Sequence, residues 1–450
     1  MPPGDSGRPS PLVPCFVILV HLAYLLLIFA VQSPDHLGEP DSLAGELYGD
    51  QDLAAITLRG LNANAGRSAG RMDPPGADAE TFSKSLEEEK PLLPRYYLEY
   101  PHVNCAFFCL PWWIFGPLEP LPSAILDGDA FNLTYHTPRD DRERAIWRQL
   151  RRASIVYRVV LFLLLSGVVI ILWRGYLPDG DLSSSCWPLF LPCALSYTVN
   201  RFDILPVFFT TLALALLGRR HHLFAGICLA IGAMSKIFPG LLLPLVLRYL
   251  LGQPGGRRAA AIWLVGFALT VLACLLPPLA REGLVSVWSP YEWQMNRQQF
   301  LWTAYGYILP PFLGGGSAVA RGFRTGFVLL ALCALTWRPI PDMAALVRRC
   351  GVLVCLFVLL QNVFSPQWIL WFWPFVLPLL GRHSRLVWLI VVLDLATMAI
   401  WPHGPPWTFA RDCLQSTRLA AMLGILGVLL LGCRQESSAV AERALVPTAS

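Results

Sequence analysis

Few side chains in this sequence are equipped for chemistry, and they sit at the edges of long apolar runs. Asn200-Arg201-Phe202-Asp203 opens one run, and Ser235-Lys236-Ile237-Phe238-Pro239 separates the runs 223–235 and 237–251. A charge at the edge of a bilayer is costly, so each is a functional candidate by default. An Arg suits phosphate because its planar fork donates two parallel hydrogen bonds. The competing reading of Arg201 and Asp203 is that opposite charges at i, i+2 neutralise each other. Lys236 is placed to meet an anionic lipid head group at the water interface; the plainer alternative is a side chain that snorkels.

Carboxylates collect elsewhere. The stretch from Asp78 to Glu89 has helical spacing, with Phe82 and Leu86 at i, i+4, and reads as a helix lying on the membrane surface or a solvated acidic helix. The run Tyr96-Tyr97-Leu98-Glu99-Tyr100-Pro101-His102 then leads into an apolar segment, where Tyr serves either an interfacial belt or a substrate. Tyr291 to Gln299, with Arg297, combines Trp, Tyr, Asn and Gln, which suits sugars: their apolar faces stack on rings while hydroxyls need amides and carboxylates. Ser365-Pro366-Gln367-Trp368 is a similar corner. Within the apolar runs, Asp394 is the clearest ionisable residue and His21 a second, fewer than a proton-coupled transporter shows. The sequence contains no GxGxxG opening a helix, no Walker A, no HExxH and no GxSxG. Nucleotide-dependent chemistry has no support in it.

The elements that must position these residues are membrane helices. Of 450 residues, 55% are hydrophobic and 14% charged, and the mean hydropathy is +0.51. Soluble domains carry about 25% charged residues, so a water-soluble globule, a disordered chain and a coiled coil are excluded. The 35 Gly and 38 Pro agree, because membrane helices tolerate breakers. A net charge of +5 leaves no nucleic-acid footprint. Apolar windows begin with 11–31, read as a retained anchor, and continue at 103–118, 155–173, 203–217, 223–235, 237–251, 259–280, 318–337, 350–364, 366–380, 386–401 and 417–433. The Pro-interrupted run 186–199 is too short to cross and reads as re-entrant. Basic segments at 139–152, 218–222, 248–258, 338–349 and 381–385, all placed in the cytoplasm, give about twelve spans with both termini inside. The outer face then receives 32–102, 174–203, 281–305 and 402–416. Residues 1–433 form one domain on this reading, with 32–102 its first outer loop, and 434–450 a polar, disordered cytoplasmic tail. The 12 Cys show no CxxC pair and no ligand spacing with His; Cys186 and Cys413, both on the outer side, leave a disulfide open.

The pattern Asn-Arg-Phe-Asp-Ile-Leu-Pro (200–206), a basic turn, LFAGICLAIGAMSKIFPGLLLPLVL (223–247) and SPQWILWFWPFVLPLL (365–380) resembles the GT-C-fold membrane glycosyltransferases of family 87, the polyprenol-phosphate-mannose-dependent alpha-mannosyltransferase type. The resemblance extends from about Asp78 to Leu380 and is most specific over 200–247. It implies an all-α bundle of about 11–13 transmembrane helices with a large first non-cytoplasmic loop. Relatives show an Asp, an aromatic four residues later, and E-Y-P-P before the second span. Asp78, Phe82 and Glu99-Tyr100-Pro101 occupy those places, with His102 where the second Pro stands.

By the resemblance, Asp78 is the catalytic base, with Asp73, Asp35 and Asp41 as fallbacks. Lys236, Arg201 and Arg297 hold the donor phosphate. Glu99, Tyr100, His102, Asp203 and Gln367 bind substrate. The donor is a polyprenyl-phosphate sugar, the acceptor a hydroxyl on a glycolipid, glycan or protein, and the setting the bacterial inner membrane. No cofactor is implied, and no metal is demanded by a leaving group with a single phosphate. Relatives place an acidic residue shortly after the Arg at 297; here Gln298-Gln299-Phe300-Leu301-Trp302 follows instead. A transporter or flippase of lipid-linked saccharides and an inactive membrane scaffold are the alternatives. The first is expected to show inverted repeats and midplane charges.

Overall fold

The computed structural model describes residues 11–31, 102–115, 141–175, 177, 186–284, 287–288, 290–291, 318–361, 364–382, 384–400 and 408–445, and every element among them is helical. In chain order these are α1 (Leu12–Val31), α2 (His102–Phe115), α3 (Asp141–Arg174), a 3-10 turn (Trp187–Phe190), α4 (Pro192–Asn200), α5 (Ile204–Gly218), α6 (His222–Ala233), α7 (Ile237–Leu241) and α8 (Leu243–Leu251). There follow α9 (Gly256–Glu282), α10 (Ala318–Trp337), α11 (Met343–Leu359), a stretch of 3-10 turns around α12 (Trp373–Val376), α13 (Ser384–Ile400) and α14 (Thr408–Leu445). Among the described residues, four helical stretches are long and apolar enough to cross a membrane: Leu12–Ala30, Arg152–Arg174, Gly256–Ala280 and Phe409–Gln435. α4 and α5, bent by 102° at residues 201–203, make a fifth if counted as one broken span. The chain is an all-α membrane protein. Leu264, Val265, Leu269, Leu272 and Leu276 stay exposed along α9, as a lipid-facing surface requires.

Pro and Gly shape the interior. Pro192 starts α4 and Pro366 starts the 3-10 stretch, both at helix-entry positions where the missing N–H costs nothing. Where α6 crosses α9, a Cβ on Gly226 would lie 2.1 Å from the Trp263 carbonyl oxygen, and one on Gly266 would lie 2.5 Å from that of Leu223. Only glycine lets the two backbones meet this closely, the usual device for packing membrane helices.

Contacts fix the relative direction of two helices. Arg158 of α3 reaches Asn200 at the head of the α4–α5 bend, and Gly167 packs on the Phe208 ring one turn into α5. α3 and α5 therefore run the same way. The Arg-rich start of α3 lies at the Asp203 end of α5, and the basic turn Arg219-Arg220-His221 lies at the opposite end. This corrects the expectation that 139–152 and 218–222 share the cytoplasm. The physical reason is that the Arg158 and Gly167 contacts tie α3 to α5 start to start, which the count of basic residues does not register. The expected crossing at 103–118 runs past the described residues, which in this segment stop at Phe115.

Two further differences concern the ends and the thiols. The last helix does not stop near Cys433 but runs on to Leu445, so 434–445 is helix rather than a disordered tail. Cys186 and Cys413 are both free thiols, the first buried and the second exposed, so the open disulfide between them does not form. The run 186–199 is, as expected, too short to cross: a 3-10 turn followed by nine residues of α4.

Candidate functional site

The site forms where five segments end together. Arg201 leaves α4 with an extended backbone (φ −133°, ψ 140°), and Asp203 stands at the N-cap of α5 without its side chain capping that helix. Asp at an N-cap ordinarily accepts from its own first turn. Here the carboxylate is turned to tertiary partners instead. Its Oδ1 accepts a hydrogen bond from Trp371 Nε1 at 2.8 Å and lies 3.6 Å from Lys236 Nζ. Oδ2 is buried and has no hydrogen-bond partner among the described residues. Asp203 is fully buried, whereas the Lys236 side chain is 14% exposed. The ion pair of Asp203 is thus with Lys236, thirty-odd positions away, and mutual neutralisation with Arg201 is not what the fold uses.

Lys236 is itself an N-cap, in the extended linker (φ −148°, ψ 150°) between α6 and α7. Its ammonium lies 4.6 Å from the centroid of the Phe202 ring, a cation–π distance. α2 closes the linker from the other side. The Val103 amide donates to Met234 O at 3.3 Å, and Asn104 Nδ2 donates to Ser235 O at 2.7 Å. Phe108 meets Phe202 edge-on at 5.5 Å, and the Phe108 carbonyl accepts from Tyr157 of α3. α2, which begins at His102, therefore enters the same corner as Lys236.

Beneath the ion pair runs a column of rings. Phe238 stacks on Trp371 at 4.8 Å and Trp371 on Trp368 at 4.6 Å, and Phe364 and then Arg418 continue the line, the guanidinium 4.0 Å from the Phe364 centroid. All four rings are buried. The expected role of the 365–368 corner as a sugar-stacking surface does not hold for Trp368, because its face is covered by Trp371. Gln367 is half-buried, and its Oε1 is buried without a hydrogen-bond partner among the described residues.

Of the expected site residues, Lys236 and Asp203 come into direct contact, and Arg201 lies two positions before Asp203. His102 begins α2, one residue before the Val103–Met234 bond. Asp78, Asp73, Asp35, Asp41, Glu99, Tyr100 and Arg297 lie outside the described residues. Two residues at this corner escape a sequence reading. Arg158 is fully buried and donates Nη2 to Asn200 Oδ1 at 3.0 Å. It is the one Arg inside the apolar window 155–173, a signal that averaging over the window hides. Trp371, one of 16 Trp, is singled out only by its bond to Asp203.

Chemically, the corner offers an ammonium at the edge of a buried carboxylate and an aromatic face, with two guanidinium side chains close in sequence or space. An anion that arrives at such a half-dehydrated cation is held more strongly than in water. No protein-family model matches the chain, and no curated protein matches it at a significant level.

Proposed function

We propose that the chain is a membrane glycosyltransferase that moves a hexose, mannose by the resemblance, from a polyprenyl-phosphate donor to an acceptor hydroxyl on the non-cytoplasmic face. The observation that carries the reading is the Lys236–Asp203–Trp371 cluster: an ammonium 14% exposed, held 3.6 Å from a fully buried carboxylate where several helices end. A charge retained at this cost calls for a use, and an anionic lipid head group supplies one. The donor's chain lies among lipid-facing helices, and its phosphate meets Lys236 and Arg201, with Arg297 as a third cation.

In the reaction, a carboxylate base takes the proton of the acceptor hydroxyl as its oxygen forms the new bond to the anomeric carbon. The bond from that carbon to the phosphate oxygen breaks, and its electron pair leaves with polyprenyl phosphate. Asp78 is the base on this proposal, and Lys236 stabilises the charge growing on the leaving group. Asp203, already engaged by Trp371 and Lys236, positions the cation rather than serving as the base.

The test uses full-length protein in nanodiscs with a polyprenyl-phosphate mannose labelled in the lipid. Release of free polyprenyl phosphate that depends on an added acceptor and is lost in Asp78→Asn, with donor binding kept, is the expected result. A protein that binds or moves the intact lipid without cleaving it is a carrier, and that outcome overturns the reading.

A further inference from the structure

α4 is nine residues long, with seven of them buried, and charges from two other helices meet its two ends. Pro192, its first residue, has no N–H, and the Leu195 amide already donates to Leu191 O at 2.9 Å. Between them, the amides of Cys193 and Ala194 are left without partners in the helix. Asp394 of α13 takes the first of them: Cys193 N donates to Oδ1 at 3.0 Å. The Cys193 thiol also donates to the Asp394 carbonyl at 3.2 Å. At the far end, Arg158 of α3 holds Asn200, the last residue of α4.

A helix bears partial positive charge at its N-terminus and partial negative charge at its C-terminus. The buried carboxylate and the buried guanidinium each stand at the end whose sign favours them. Asp394 is 2% exposed and Arg158 not at all, so both carry the full cost of burial. A nine-residue helix is too short to hold itself, and the 102° bend into α5 means that continuity of the chain does not orient it. Its ends do.

We propose that Asp394 and Arg158 are a positioning pair acting through α4. Together they set where the chain leaves α4, and so where Phe202 and Asp203 stand against Lys236. Neither needs to touch a substrate. If they only stabilise the bundle, a variant that still folds keeps Lys236 in its normal surroundings; if they position, Lys236 feels the change.

Lysine chemistry makes that difference measurable, because Lys84, Lys90 and Lys236 are the chain's only lysines. Reductive methylation of the full-length protein with isotope-labelled formaldehyde gives lysine NMR signals, and Lys236→Arg identifies the one from Lys236. Three variants are compared with the parent, each checked for a monodisperse, cooperatively melting sample. Arg158→Gln and Asp394→Leu are expected to shift the Lys236 signal while those of Lys84 and Lys90 stay in place. Asp394→Asn keeps an acceptor oxygen for Cys193 and shifts it less. The double variant Arg158→Gln/Asp394→Leu shifts it no further than the larger single change, because both act on one helix. Should Asp394→Leu not fold, Arg158→Gln and Asp394→Asn decide. A Lys236 signal unmoved in both overturns the proposal. The measurement needs no donor lipid, so its failure and the failure of the glycosyltransferase reading are separate events.

Discussion

Lys236 and Arg349 are both sheltered cations, yet the bundle treats them differently. Arg349 of α11 is 4% exposed and spends its guanidinium on backbone: Nη1 donates to Leu335 O and Arg338 O at 2.8 Å, and Nη2 to Pro339 O at 2.9 Å. Those carbonyls lie at and just beyond the end of α10, where a helix leaves acceptors unmatched. Arg248 does the same a few residues away, donating Nε to Thr336 O at 3.1 Å. Lys236 instead faces a side-chain carboxylate and a ring face, and part of it remains exposed. One cation closes a helix end and the other is kept at the surface of its cluster. Burial of charge alone therefore does not mark a site; what the charge is spent on does.

Four substitutions, one of them only in a double variant, sharpen that contrast. Lys236→Met has the largest expected effect: turnover of a polyprenyl-phosphate donor falls about 100-fold or more, the usual loss when a group that stabilises developing charge is removed. It also destabilises, by about 3–5 kcal/mol, because Asp203 is left as a buried charge without its partner. Adding Asp203→Asn restores the thermal midpoint but not the turnover. Recovery of both in the double variant would return Lys236 to a structural role. Next comes Arg349→Met, which orphans carbonyls at the end of α10 and costs about 1–3 kcal/mol in a denaturant melt of the solubilised protein, with kcat and KM unchanged. A changed KM there would erase the distinction between the two cations. Smallest is Gly226→Ala, which pushes α6 off the Trp263 carbonyl. It costs about 1–3 kcal/mol of stability with donor affinity kept, since the crossing lies away from the cation.

Much of this was legible in the sequence. The apolar runs at 203–217, 223–235 and 318–337 return as α5, α6 and α10, because membrane helices carry their signal in composition. Lys236 was legible for the same reason: a charge flanked by apolar residues stands out. Its partner was not. Asp203 and Trp371 lie 168 positions apart, and nothing in either neighbourhood announces a bond between an indole and a carboxylate. Arg201, two residues from Asp203, was the nearer candidate in sequence, but the carboxylate turns to Lys236 and Trp371 instead. The direction of α3 was not legible either: counting basic residues says nothing of which helices run in parallel, which the Arg158 and Gly167 contacts decide.

The stack of Trp368 on Trp371, with planes 21° apart and centroids separated by 4.6 Å, has an optical consequence. Two indoles this close couple their electronic transitions and produce a paired band of opposite signs in circular dichroism. One member of the couple is bonded to the carboxylate that steadies Lys236. The molecule thus carries its own unlabelled gauge of that corner, readable in a cuvette whenever something docks there.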